Sequence, residues 1–189
     1  MGILGARVMG FKKPVLTSVV LVAGVLFLAV FSGHSVTPVI SLPDTFLCPA
    51  GAGSRISQDV TGASFPSVMG WQLNITYDAA KVSVVSVMLG SAWNAVSHNT
   101  AITNATGSLL YGYSTLNGAV VSGTTTLASI TWKFLVSPGT TAEHIVLTME
   151  NSNLGTMLLD PGLGRVGYTT TDGGLTIQPT RPCPQAPTP

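Results

Sequence analysis

At 189 residues the chain is long enough for one domain with a sizeable core, and 46% of its side chains are hydrophobic while only 8% are charged. A formal net charge of +1 offers no basic face that would neutralise a run of phosphates, which excludes nucleic-acid binding. So little Glu and Lys also excludes long charged helices, and 21 Gly with 12 Pro point to strands and turns.

Three of the basic residues, Arg7, Lys12 and Lys13, precede an apolar run at 15–31 (VLTSVVLVAGVLFLAVF) that carries no charge. A positive start followed by an apolar centre is the layout of a secretory signal. The run also sits at the short end of what spans a bilayer, so an uncleaved N-terminal anchor with the Lys pair inside fits equally. Residues 1–35 are therefore read as a signal peptide or a membrane anchor, forming one hydrophobic helix. Both readings place the rest of the chain secreted or at the cell surface, touching membrane only through 15–31 if that segment is uncleaved.

Beyond that segment the pattern is one of strands. Short strand-like runs are expected at 36–42 and 54–60. Trp71, Leu73, Ile75 and Tyr77 then alternate with Gln72, Asn74 and Thr76, the period-two signature of a half-buried strand. Further runs follow at 81–89 and 108–115. Ala128, Ile130, Trp132, Phe134 and Val136 alternate with Ser129, Thr131 and Lys133, and Ile145, Leu147 and Met149 repeat the pattern before a last run at 174–178. Turn formers separate these runs at 77–80, 116–118, 137–139, 160–162 and 172–174. Eight or so short strands with no convincing helix after residue 35 predict an all-β antiparallel sandwich over 36–178. Residues 179–189 form a Pro-rich tail that cannot join a ladder.

Three stretches resemble the cohesin family, taken broadly to include cohesin-like and carbohydrate-binding-module-like surface domains. MGWQLNITYDAAKVSVVSVMLGSAW (69–93) is similar to that family's strand ending in Tyr-Asp, its short turn, and its Val-rich strand closing on Gly. GSLLYGYSTLNGAVVSGTTTLASITWKFLV (107–136) resembles its glycine-ended lead into an alternating apolar strand. HIVLTMENSNL (144–154) resembles a strand running into an Asn-rich corner before a final strand at 172–177. The resemblance implies a jelly-roll sandwich of about nine strands with adjacent termini. It does not by itself imply a dockerin partner.

Candidate site residues follow from chemistry. Cys48 and Cys183 bracket the sandwich, and in an exported protein they are free to oxidise. An intramolecular bond would close a loop of about 135 residues, worth roughly 4–5 kcal/mol in the chain-entropy treatment. Unpaired thiols or bridges between subunits are the alternatives. Asn74-Ile75-Thr76 and Asn104-Ala105-Thr106 are glycosylation sequons. Sugar binding needs exposed aromatic faces, and Trp93, Tyr111 and Tyr113 are the candidates, the two tyrosines sharing one side of a strand. No nucleophile elbow, zinc-binding His pair or phosphate-cradling loop occurs, and the carboxylates fall mostly in turns where Asp has a structural task. No cofactor, metal or catalytic residue is assigned. Oxygen ligands cluster near Asp160 and at Glu150, Asn151, Ser152 and Asn153, where a hydrogen-bonded corner is the favoured reading over calcium.

The leading expectation is a non-catalytic extracellular adhesion or recognition domain binding a protein or polysaccharide. A second is a subunit of a surface filament, in which residues 35–47 leave their own domain to complete a neighbour's sheet. A third is a carbohydrate-binding accessory module.

Overall fold

The computed structural model describes residues 36–93, 98–114, 119–151 and 155–179. The expected N-terminal helix, Cys183 and all but the first residue of the Pro-rich tail lie outside them. The described residues contain no helix and fold into two sheets.

One sheet holds β1 (Val39–Ser41), β3 (Arg55–Val68), β5 (Val82–Leu89), β8 (Val121–Phe134) and β12 (Thr169–Thr171), in the order β12-β1-β3-β8-β5. The other contains β2 (Thr45–Leu47), β4 (Gly70–Tyr77), β9 (Glu143–Met149), β10 (Met157–Leu159), β11 (Arg165–Val166) and β13 (Gly173–Ile177). Its order is β11-β10-β4-β9-β13-β2. The opposite edge of β4 carries β7 (Ser108–Ser114), which in turn carries β6 (His98–Thr103).

The period-two alternation decides which side chains meet between the sheets. Trp71, Leu73, Ile75 and Tyr77 on β4 face Ala128, Ile130, Trp132 and Phe134 on β8, all buried. Tyr77 and Trp132 meet edge to face across the sandwich, with ring centroids 5.2 Å apart and planes at 77°. The Trp132 Nε1–H donates to Gln58 Oε1 at 3.0 Å, and Gln58 Nε2 donates to the Pro43 carbonyl at 2.6 Å. The buried Gln58 amide thus has both ends occupied, as burial demands.

The sandwich is antiparallel through its centre and parallel at its two terminal pairings. β1 runs antiparallel to β3 but parallel to β12, and β2 runs parallel to β13. This corrects the filament expectation. The segment reserved there for a neighbour's sheet is already built into its own domain through β1 and β2, and the Pro43 carbonyl between them is held by Gln58.

Candidate recognition face

The outward side of the sheet that contains β4 is assembled from the residues that alternate with the core. By register, Ala101 and Thr103 on β6 lie beside Leu110 and Ser108 on β7, which lie beside Asn74 and Thr76 on β4. Thr76 lies opposite Thr148 on β9, Val146 opposite Gly174 on β13, and His144 opposite Thr176, which in turn faces Phe46 on β2. No Lys, Arg, Asp or Glu occupies an outward position in any of these strands; Glu150 follows directly after β9, and Arg165 on β11 points outward at the margin of the same sheet. The other sheet differs, with Arg55 and Asp59 on β3 and Lys133 on β8 all directed outward.

Within this neutral surface Val146 is 60% exposed and Phe46 is 41% exposed. His144 lies over Gly174, where a Cβ would come within 2.3 Å of the ring, and its Nδ1 sits 2.9 Å from Thr176 Oγ1. The missing side chain at Gly174 thus leaves the room that the imidazole occupies. Face and glycine together give a smooth, uncharged surface with isolated apolar projections.

Asn74 occupies the point where β4 changes neighbours. β10 pairs with Gly70, Trp71 and Gln72, while β9 pairs with Ile75, Thr76 and Tyr77. Across the gap the Asn74 N–H donates to Thr156 Oγ1 at 3.2 Å, and its carbonyl accepts from the Glu150 N–H at 2.8 Å. Its Oδ1 is buried without a hydrogen-bond partner. The second sequon residue, Asn104, has a structural task. Its Nδ2 donates to the Val84 carbonyl at 3.0 Å, and its Oδ1 accepts from the Val84 N–H at 2.8 Å and from the Tyr77 hydroxyl at 2.6 Å.

The aromatic platform needs correction. Trp93, Tyr111 and Tyr113 are 4%, 3% and 3% exposed, so none offers a flat face to a sugar ring. The tyrosines share the parity of Leu109 and enter the core beside Trp71, their centroids 5.5 and 6.2 Å from its ring. Trp93 closes over the cluster edge to face, 5.9 Å from Trp71 and 5.5 Å from Tyr113, and its Nε1–H donates to the Thr126 carbonyl at 3.1 Å.

The acidic residues serve the backbone. Asp160 Oδ1 accepts from the Gly162 and Gly164 N–H groups, each at 2.8 Å. Asp172 Oδ1 accepts from the Met149 N–H at 2.8 Å and Asp78 Oδ1 from the Ala80 N–H at 2.9 Å. Glu143 pairs with Lys81 at 2.7 Å and holds the ammonium above its ordinary range. Among the described residues no three His, Cys, Asp or Glu side chains gather as a metal-binding group. A cleft of about 270 Å³ beside the β10–β11 pair has Asn151, Met157, Arg165, Val166 and Tyr168 in its lining. The Tyr168 hydroxyl at its edge is already hydrogen-bonded to Asn151 Oδ1 and to the Thr156 carbonyl.

Comparison with known proteins identifies the lineage. The model of the cohesin domain family matches residues 49–177. The chain belongs to the cohesin family. Among solved structures, this cohesin domain is similar to the non-cellulosomal cohesin of the hyperthermophilic archaeon Archaeoglobus fulgidus. The two are 18% identical with a TM-score of 0.61, covering 76% of this chain and 92% of that one. It is similar to the sixth cohesin of Acetivibrio cellulolyticus scaffoldin B, solved with a Cel5 dockerin, at 15% identity and a TM-score of 0.65, covering 76% and 100%. A Clostridium thermocellum cohesin from a type I cohesin–dockerin complex matches at 15% and 0.63, again covering 76% and 100%. At these identities the likeness to the solved structures is one of fold. No curated protein sequence matches this cohesin chain.

Proposed function

We propose that this cohesin domain is a non-catalytic recognition module displayed outside the cell. Its outward face across β6, β7, β4 and β9 takes up a folded protein partner of the dockerin class. The observation that carries the reading is the absence of charge from every outward strand position of that face, combined with the exposure of Val146 on β9. Desolvating such a surface costs little, because no ion has to be stripped of water, and an exposed apolar side chain supplies an anchor for a complementary pocket. Two of the similar structures are described as cohesins bound to dockerins, which names the partner class to test first. Polysaccharide is the weaker ligand, since the aromatic side chains that would stack on it are buried.

Display outside the cell rests on the basic and apolar N-terminal pattern and on a proposed Cys48–Cys183 disulfide. The pairing of β2 with β13 supports that bond. Leu47 lies opposite Ile177, and the Ala50 N–H donates to the Gln178 carbonyl, so the backbone on either side of Cys48 runs beside the strand that leads toward Cys183.

The test is a binding screen of the full chain against an array of purified type I and type II dockerin domains, read by calorimetry. Binding of at least one dockerin, with Val146→Asp and Leu110→Arg each weakening it by about 2 kcal/mol or more, is expected. An array without a binder, or a binder indifferent to both substitutions, overturns the reading.

A further inference from the structure

A sheet edge presents unpaired backbone donors and acceptors, and folded proteins blunt such edges with short strands, prolines, charges or bulges. Most edges of this sandwich are treated in that way. β12 and β2 are three residues long and β11 two, and Pro43 and Pro49 flank β2. β5 is longer, but its ladder with β8 shifts register between Val84 and Ser86, and Asn104 occupies both backbone groups of Val84.

β6 has none of these devices. It runs for six residues, His98–Thr103, and pairs with β7 in an unbroken register. Its sequence, HNTAIT, contains no Lys, Arg, Asp, Glu or Pro. Thr100, Ala101, Ile102 and Thr103 are all exposed, with Ile102 at 38%. β7 is its sole strand partner among the described residues.

We infer that β6 is a self-association edge, where two copies of this cohesin domain join by antiparallel β6–β6 pairing about a two-fold axis. Three observations select a second copy as the occupant. An antiparallel seam of this strand on itself sets no like charges opposite one another in any register. The other edges are short or plugged, so within a population of this chain the matching partner for an open six-residue edge is the same edge on another molecule. Each copy then uses its one long edge that is not plugged, and the assembly closes at two rather than growing into a fibre. Pairing also covers part of Ile102, which lies on the core side of the sheet beside Leu109. A six-residue seam is small beside the ~1,600 Å² of a standard stable interface, so the dimer is weak and becomes populated where copies are crowded. Its consequence is two neutral recognition faces joined into one continuous surface.

The experiment is sedimentation equilibrium of the full chain in non-ionic detergent, with Ile102→Lys, Thr100→Lys and, on the β5 edge, Met88→Lys. A monomer–dimer equilibrium is expected for the wild type and for Met88→Lys. Each β6 substitution should weaken it by on the order of tenfold or more while leaving the melting temperature unchanged. If one β6 substitution compromises folding, the other decides. A wild type that stays monomeric at the highest attainable concentration overturns the inference. So does a dimer that both folded β6 variants retain, since the contact then lies elsewhere.

Discussion

Asn104 satisfies both backbone groups of Val84 at once, donating from Nδ2 to the carbonyl and accepting at Oδ1 from the N–H. The amide comes from the tip of the β6–β7 hairpin and stands where another strand would stand beside β5. It fills the position at which the β5–β8 ladder shifts register, and its Oδ1 also receives the Tyr77 hydroxyl. One side chain therefore links the two sheets. Replacing it with Ala orphans three polar groups, and a loss of about 1–3 kcal/mol in urea unfolding is expected. Asn104→Asp keeps the acceptor but directs a carboxylate oxygen at the Val84 carbonyl, so it should recover little. An unchanged midpoint in both variants would show that the link contributes nothing.

Trp132 is the largest side chain shared by the hydrogen-bonded and apolar parts of the core. Trp132→Ala should cost roughly 3–5 kcal/mol through the cavity it opens. Trp132→Phe retains much of the ring contact with Tyr77 but leaves Gln58 Oε1 without its donor, an expected cost of about 1–3 kcal/mol. Equal losses in the two variants, measured by denaturant unfolding, would assign the whole effect to the hydrogen bond rather than to packing.

Alkaline pH should destabilise the domain. Burial raises the Tyr77, Tyr111 and Tyr168 hydroxyls above their ordinary value of 10.0, and Glu143 raises Lys81 above 10.5. In each case the folded state holds its proton more tightly than the unfolded chain does. The associated stability is complete below those ordinary values and is lost as pH climbs through the raised ones. Tyrosinate absorbance should therefore appear late and track unfolding seen by circular dichroism. Early titration of these three phenols in the intact fold would contradict their burial.

The proposed clasp between Cys48 and Cys183 predicts an intact mass lighter by two hydrogens than that of the reduced chain and no reactive thiol in denaturant. The double substitution to Ser should lower stability by up to roughly 4–5 kcal/mol, the value for a loop of this length. Two titratable thiols per unreduced chain would remove the bond from the description.

Much of the fold was legible because apolar side chains at period two can satisfy only one geometry. The alternation from Trp71 to Tyr77 and from Ala128 to Phe134 places their large side chains where the buried core has them. Where polar residues fill both parities the signal fails. β6 offers only Ala101 and Ile102 as apolar residues, and β8 begins at Val121 through a run of Ser, Gly and Thr, so neither segment stands out. In β3 the expected strand stops at residue 60, just ahead of Gly62 and Pro66. The strand instead continues to Val68 by shifting register on both sides of Phe65, with Ser64 at a φ of 58°. For Tyr111 and Tyr113 the shared side was legible and its direction was not. The deciding signal was nearby: their parity includes Leu109, while the other holds Ser108, Leu110, Gly112 and Ser114, and the greasier side turns inward.

The parallel pairings at the two ends of the domain set its response to tension. A pull at the N-terminal end draws β1 back along its own axis, past β12 and β3, and a pull at the C-terminal end draws β13 forward past β9, with β2 tied to it through the proposed Cys48–Cys183 bond. Both motions slide strands lengthwise, so the rungs on each side bear load together instead of parting one by one like a zipper. A domain loaded between its two termini is thereby strained along its most resistant direction.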